Sequence, residues 1–310
     1  MTGSPVTSDE PSLQIQRRLP PWFKVTAPGG GKYRELKAML RGHDLHTVCE
    51  EARCPNIGEC WGADGTATFM ILGDTCTRGC QFCAVKKGVP LQRDLDEATR
   101  IGQAVAEMGL RHAVVTSVTR DDLSDGGAAA FAATIAAIRS LSPRTSVEVL
   151  VPDFGGKLSA LDVVLGARPD ILNHNMETVS RLYSTVRRGA DYKRSLALLR
   201  HASESGFTSK TGVMVGLGET LDELWQLFDD LVAAGCCVLT LGQYLQPTSD
   251  HRPIARFYHP DEFASLKAVG EAKGLAHVES GPRVRSSYNA AAQARFVSRT
   301  DDEESQYEDI

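Results

Sequence analysis

The chain has no apolar run approaching the roughly twenty residues that a helix needs to cross a bilayer, so nothing in it reads as a membrane span. Met1 to Pro20 also lacks the charged start and apolar core of a secretory signal. That absence points to a cytoplasmic location and away from disulfides, which persist in oxidising compartments. A surplus of positive charge is missing too: 34 Lys and Arg against 39 Asp and Glu leave a formal charge of −5. Nucleic-acid binding, which draws on a basic face, therefore has no general support. No internal repeat is evident beyond an alternation of strand and helix patterns. What remains is a chain of 310 residues, 42% hydrophobic, long enough for a large core in one or two domains.

Charge is unevenly spread. Between Arg17 and Arg41 lie Arg17, Arg18, Lys24, Lys32, Arg34, Lys37 and Arg41 against the single acid Glu35. This arm reads either as an ordinary solvated surface or as a docking face for an acidic partner. The last ten residues carry Asp301, Asp302, Glu303, Glu304, Glu308 and Asp309, a composition expected to stay disordered and solvated.

Cysteine is plentiful and clustered. Six of the eight fall between Cys49 and Cys83, as CX4CX5C (Cys49, Cys54, Cys60) and CX3CX2C (Cys76, Cys80, Cys83). Zinc usually takes paired CX2C or Cys/His sets that close a tetrahedron. Three soft thiolates in a CX3CX2C loop instead suit one face of an iron–sulfur cluster. The first triplet has no generic meaning by itself, and zinc stays open for it. Each triplet is one ligand short of a closed site. Cys236 and Cys237, opening a strand after Gly235, read as small hydrophobes, and His43 and His46 as structural or surface residues.

From Thr68 onward, strand patterns at Thr68–Gly73, His112–Val118, Ser146–Val151, Asp170–Asn175, Lys210–Gly216 and Val238–Leu245 alternate with helical ones. Ala98, Ile101, Val105 and Met108 share one helical face; Leu221, Leu224, Trp225, Phe228, Leu231 and Val232 share another. Gly109, Gly206, Gly235 and Gly274 mark helix ends. Chemistry-bearing residues follow successive strands: the cysteine loop, Thr119 to Gly127, Asp153, Asn173 and Asn175, Gly216 to Glu219, and Gln246. Strand ends converging on one mouth are barrel behaviour. The expected fold is α/β, a partial (β/α)6 barrel over residues 68–259. An N-terminal extension (1–67) and a C-terminal extension (260–310, with a helix near Pro260–Lys273 and a short run Ala276–Ser280) cover its mouth.

A CX3CX2C loop after the first strand of such a series resembles the radical S-adenosylmethionine superfamily. The stretches His46 to Trp61, Asp121-Asp-Leu-Ser-Asp-Gly-Gly-Ala128, Asn173-His-Asn-Met-Glu-Thr178 and Arg285-Ser-Ser-Tyr288 narrow the likeness to the lipoyl synthase family, over about Pro20 to Ala292. Asn289 departs from the pattern, many members having His there. The resemblance implies that Cys76, Cys80 and Cys83 hold a [4Fe-4S] cluster whose fourth iron chelates S-adenosylmethionine, cleaved to a 5′-deoxyadenosyl radical. It further implies that Cys49, Cys54 and Cys60 hold an auxiliary [4Fe-4S] cluster with Ser287 as fourth ligand. The implied reaction inserts two sulfurs, taken from that auxiliary cluster, at C6 and C8 of an octanoyl chain on a lipoyl carrier domain, consuming two S-adenosylmethionine molecules per lipoyl group. Implied partners are octanoylated carriers (E2 subunits of 2-oxoacid dehydrogenases, the glycine cleavage H protein), a low-potential electron donor and an iron–sulfur assembly or repair protein.

In such a site Phe82 would pack near the adenine, or be a core aromatic. Asn173, Asn175 and Glu177 would hold ribose hydroxyls and the amino group. Arg188 would pair with the methionine carboxylate, or be a surface charge. Asp153 would meet the ribose, or mark a turn. Gly216 and Gly218 would let backbone approach the adenine, or serve a strand-to-helix turn. Ser287 by sequence alone reads as a helix N-cap. Two other readings stand beside the main one: another sulfur-inserting radical enzyme of the biotin synthase type, which CX4CX5C and Ser287 oppose, and an iron–sulfur electron carrier or sensor, which would not need a barrel.

Overall fold

Short β-branched runs separated by amphipathic stretches bury both faces most readily as a parallel sheet covered by helices. The chain has this architecture in a computed structural model that describes residues 19–24, 29, 31–51, 54, 56–61 and 67–294. The elements before the barrel are α1 (Gly31–Gly42), β1 (His46–Thr47), α2 (Val48–Glu51) and α3 (Ile57–Glu59). Then come β2 (Thr68–Ile71), β3 (Thr75–Cys76), β4 (Lys86–Lys87), α4 (Glu97–Met108), β5 (His112–Ser117), α5 (Ala128–Leu141), β6 (Ser146–Leu150) and α6 (Leu158–Gly166). The second half holds β7 (Ile171–Asn173), α7 (Tyr183–Val186), α8 (Tyr192–Glu204), β8 (Thr208–Val215), α9 (Leu221–Ala233), β9 (Val238–Gln243), α10 (Pro260–Ala272) and β10 (His277–Gly281).

The large sheet runs β1-β2-β5-β6-β7-β8-β9-β10. β1 is antiparallel to β2, and every other neighbouring pair is parallel. Its ends, β1 and β10, are not paired with each other, so the barrel is open. All six expected strands form, with ends within two residues of the sequence reading. A seventh parallel strand joins them: residues 260–281, expected as an extension, form α10 and β10 and continue the sheet, from His277 opposite Val238 to Gly281 opposite Gly242. The physical reason is the edge of β9, whose backbone groups would otherwise face solvent unpaired.

Local signals agree with the helices. Thr220 and Glu223 form a capping box at α9, Pro260 opens α10, Asp191 accepts the Arg194 N–H at the start of α8, and Gly109 closes α4 in the left-handed region. Ile101 and Val105 of α4 are buried, as are Leu224, Phe228 and Leu231 of α9. Leu221 is not; it stands in the first turn of α9 and is 46% exposed. Cys236 is buried in the apolar cluster of the second half, and His43 pairs with Glu107 at 3.0 Å.

Inside the sheet lies a buried polar group. Lys210 Nζ meets Glu148 at 3.0 Å, and Asn173 Nδ2 donates to Glu148 Oε1 at 2.9 Å. All three side chains are withdrawn from solvent, so the pairing is what makes a buried lysine and glutamate tolerable. Arg17 and Arg18 of the basic arm and the acidic residues from Asp301 onward lie outside the described residues.

Candidate functional site

β2 ends at Ile71, and the chain leaving it carries Cys76, Cys80 and Cys83 across the C-terminal edge of the sheet. Backbone hydrogen bonds fix this loop from several sides. Thr77 N–H donates to Thr119 O, Gln81 N–H to Val186 O, Arg252 N–H to Gln81 O and Gly88 N–H to Cys76 O. Gln246 Nε2 donates to His251 O, while the His251 ring contacts Cys83 O at 3.0 Å. Cys76 Sγ accepts the N–H groups of Arg78 and Thr119, each at 3.4 Å. Such donors suit a cluster sulfur.

A side-chain clamp holds the loop from below. Arg78 donates two bonds of 2.7 Å to Asp121 and one of 2.7 Å to Asp153. Asp153 also accepts from Arg194 at 3.2 Å and from Gly155 N–H at 3.1 Å. Burial alone would push the Asp153 carboxyl up, but its bond to Arg78 and that arginine's charge hold it at about 2. Asp153, read from sequence as meeting the ribose or marking a turn, accepts from Gly155 N–H at the start of the turn Phe154–Gly156 and, through Arg78, anchors the cysteine loop.

Asn175, Glu177 and Arg187 meet near the thiols. Arg187 Nη1 donates to Asn175 O and Tyr183 Oη at 2.7 Å and to Ser195 Oγ at 3.1 Å. Asn175 Nδ2 donates to Glu177 Oε1 at 3.1 Å, while Asn175 Oδ1 is buried with no partner among the described residues. Glu177 has φ +65°, a strained value for a non-glycine residue that often marks a functional position. Burial pushes its carboxyl up, against the charge of Arg187. Burial likewise pushes the Cys80 thiol to about 12, with Arg187 opposing and Glu177 reinforcing, and the Cys83 thiol to about 11. Cys80, Cys83, Glu177 and Arg187 thus share one electrostatic environment.

Arg188, the arginine singled out from sequence, is exposed, and its neighbour Arg187 turns inward instead. Arg187 caps the end of α7, its N–H donating to Tyr183 O, and its guanidinium stands 5.5 Å from the buried Tyr183 ring. Asn173 belongs to the Glu148–Lys210 group, although its Oδ1 is left without a partner there. Phe82 is half-buried against the apolar cluster of the second half. Gly216 and Gly218 have φ +95° and +106°, and a Cβ on Gly216 would come 2.1 Å from Gln243 Nε2, so the turn itself demands glycine at Gly216.

The first triplet builds a second site. A cleft is lined by Cys49, Cys54, Asn56, Cys60, Thr68, Arg285 and Ser287. The two ends of the chain are tied together there: Asn56 Nδ2 donates to Arg283 O at 2.7 Å, and Thr68 Oγ1 donates to Ser287 Oγ at 2.9 Å. The N-cap reading of Ser287 fails, because helical residues begin at Ala290. Burial raises the Cys49 thiol to about 11. Burial also lowers the Arg285 pKa, with Cys54 acting in the opposite sense. Three soft thiols and a serine oxygen lining one cleft are a donor set that suits an iron–sulfur cluster.

Two family models match. Residues 70–231 match the radical SAM superfamily, and residues 8–54 match the N-terminal domain of lipoyl synthase of the radical SAM family. The Streptococcus suis protein SuiB, in its crystal structure with S-adenosylmethionine, is similar in fold: TM-score 0.55 over 79% of this chain and 53% of SuiB, at 12% identity. The barrel with its cysteine loop thus defines a radical SAM protein. The lipoyl synthase of Symbiobacterium thermophilum is 55% identical over 95% of this chain and 92% of its own length. That of Rubrobacter xylanophilus is 56% identical over 90% and 88%. At that identity and coverage, the chain belongs to the lipoyl synthase family.

Proposed function

We propose that the chain inserts two sulfur atoms, at C6 and C8, into an octanoyl group carried in amide linkage on a lysine of a carrier domain. Family membership supports the reaction. One observation carries the assignment of residues: Cys49, Cys54, Cys60 and Ser287, drawn from opposite ends of the chain, line a single cleft. We assign these four to an auxiliary [4Fe-4S] cluster. Cys76, Cys80 and Cys83 are assigned to a second such cluster with an iron left open to S-adenosylmethionine. When bound, these groups supply a radical able to take hydrogen from C6 and C8, with one S-adenosylmethionine consumed per sulfur, and the sulfur itself.

The chain's own residues hold and orient. The N–H groups of Arg78 and Thr119 hold the Cys76 sulfur, and the Arg78–Asp121–Asp153 clamp fixes the loop that carries it. Glu177 and the open acceptor of Asn175 suit the amino group and ribose of S-adenosylmethionine. Arg187, half-buried beside them, is the cation that suits its carboxylate. Phe82, Gly216 and Gly218 would border the adenine. Ser287 would offer a hard oxygen where the other auxiliary ligands are soft sulfur, a weaker match to an iron–sulfur cluster, and Thr68 keeps the serine in place. In this reading 1–67 supplies the auxiliary cysteines, 68–259 the radical chemistry and 260–310 the serine. The carriers are E2 subunits of 2-oxoacid dehydrogenases and the glycine cleavage H protein. A low-potential electron donor and an iron–sulfur assembly protein act with the enzyme in the cytoplasm. No helix among the described residues is long and apolar enough to cross a membrane.

The test is an anaerobic reaction of reconstituted protein with a low-potential reductant, S-adenosylmethionine and an octanoylated lipoyl-domain peptide. We expect 5′-deoxyadenosine and lipoyl product together, with about eight irons per chain. Deoxyadenosine without lipoyl product would leave a radical enzyme of another specificity. About four irons would remove the auxiliary centre.

A further inference from the structure

Among the described residues, large apolar side chains are exposed at eight positions, and the three most exposed fall within seven residues of one another: Val89 (93%), Leu91 (83%) and Leu95 (79%). Both ends of this segment are fastened at the rim of the barrel. On one side Lys86 and Lys87 pair with Thr75 and Cys76, and Gly88 N–H donates to Cys76 O at 3.1 Å. On the other, Glu97 at the start of α4 accepts the Leu72 N–H, just past the end of β2, at 2.8 Å. The apolar group therefore cannot stray from the cysteine loop. Leu91 is three residues from Gly88, at most about 11 Å away along the chain.

Apolar side chains left exposed along one short segment that is anchored at both ends beside a site mark a surface for a partner to cover. The reaction itself supplies the partner. Its acyl chain arrives attached to a folded domain through a lysine, an arm on the order of 15 Å when extended. The domain must therefore seat within that distance of the cysteine loop, and Val89 and Leu91 are that close. Lys86 and Lys87, both exposed, flank the apolar group on its cysteine side; Lys86 has only a loose contact of 3.8 Å with Asp74. The complementary surface is an apolar face bordered by carboxylates.

We infer that Val89, Leu91 and Leu95, with Lys86 and Lys87 beside them, form the surface on which the folded carrier domain docks to present its octanoyl-lysine; this rests on the sulfur-insertion reading above. The surface acts on the domain and not on the acyl arm, so it separates two substrates that share the same reacting atoms.

The experiment compares reconstituted wild-type holoenzyme with the triple variant Val89→Thr, Leu91→Gln, Leu95→Gln. One substrate is an octanoylated folded carrier domain and the other a short octanoyl-lysine peptide. The expected result is a KM for the domain raised about tenfold, equivalent to ~1.4 kcal/mol, with kcat on the domain and both constants on the peptide within about twofold of wild type. An unchanged KM for the domain would overturn the proposal, as would an equal loss on both substrates, which would mean damage to the cysteine loop. A wild-type dimer that the variant dissolves would assign the surface to a second copy of the chain and overturn it too. If wild-type enzyme converts neither substrate, the sulfur-insertion reading itself fails. Peptide conversion by wild type keeps the two failures apart.

Discussion

Arg187 and Arg188 stand side by side in sequence, yet only the first lies on the buried face of Tyr183, with its guanidinium shared among Asn175 O, Tyr183 Oη and Ser195 Oγ. A charged donor so placed is costly to remove, because it leaves buried acceptors unpaired. Arg187→Ala should lower 5′-deoxyadenosine formation by on the order of 100-fold, or ~3 kcal/mol, and Arg188→Ala should stay within about twofold. Equal effects in the two variants would show that burial does not mark the working arginine. Ser287 is tested separately. Ser287→Cys replaces a hard oxygen by a matched soft donor, and we expect deoxyadenosine formation unchanged with lipoyl product down at least about tenfold. Native-rate sulfur insertion by the cysteine variant would rule out ligand softness as the reason for serine.

At the scale of elements, the cysteine loop is set by its anchors as much as by its own residues. Asp153, on the loop after β6, joins Arg78 of the cysteine loop to Arg194 of α8. Its folded-state carboxyl, near 2, lies below the ordinary value of 3.8. The stabilisation is therefore complete above about pH 4 and is lost as pH falls toward 2. In cluster-free protein, wild type should lose stability to denaturant over that window more steeply than Asp153→Asn, which lacks the titrating group; parallel curves would remove the clamp as a stabilising element. Much of this scale was legible. The strands from Thr68 to Gln243 declare themselves by apolar, β-branched runs, and α9 by its period and its Thr220–Glu223 cap. The triplets were legible because thiolate spacing is local. What sequence hid was pairing between distant segments. Nothing within Val-Pro-Asp153 says that its carboxylate meets Arg78, 75 residues away. Nothing in Ala276–Ser280 says that this short run closes the edge of β9 and does not merely trail from it.

At the scale of the whole molecule, the cleft of Cys49, Cys54, Cys60 and Ser287 forms where the segment before β2 meets the segment after β10, and β9 sets the meeting place. A Cβ on Gly242 would come 2.0 Å from Val284 O, a separation that real atoms do not adopt, and Val284 directly precedes Arg285 and the Ser287 corner. The bare backbone of Gly242 is thus what lets residues 283–288 seat against the sheet and reach Asn56 and Thr68. Gly242→Ala should push that segment outward and break the Thr68–Ser287 contact. Cys76, Cys80 and Cys83 have anchors of their own at Thr119, Val186 and Arg252, so they should be spared. The expected outcome is selective: iron falling from about eight toward about four per chain, 5′-deoxyadenosine still formed on addition of S-adenosylmethionine and reductant, and no lipoyl product. Thermal unfolding of the cluster-free variant serves as the control, since a folded barrel must persist for the loss to be assigned to the auxiliary site. Retention of all the iron would show that the C-terminal segment tolerates displacement from β9. Loss of both clusters together would show that the two centres depend on one another through the sheet, and that the separate anchoring of the cysteine loop does not isolate it.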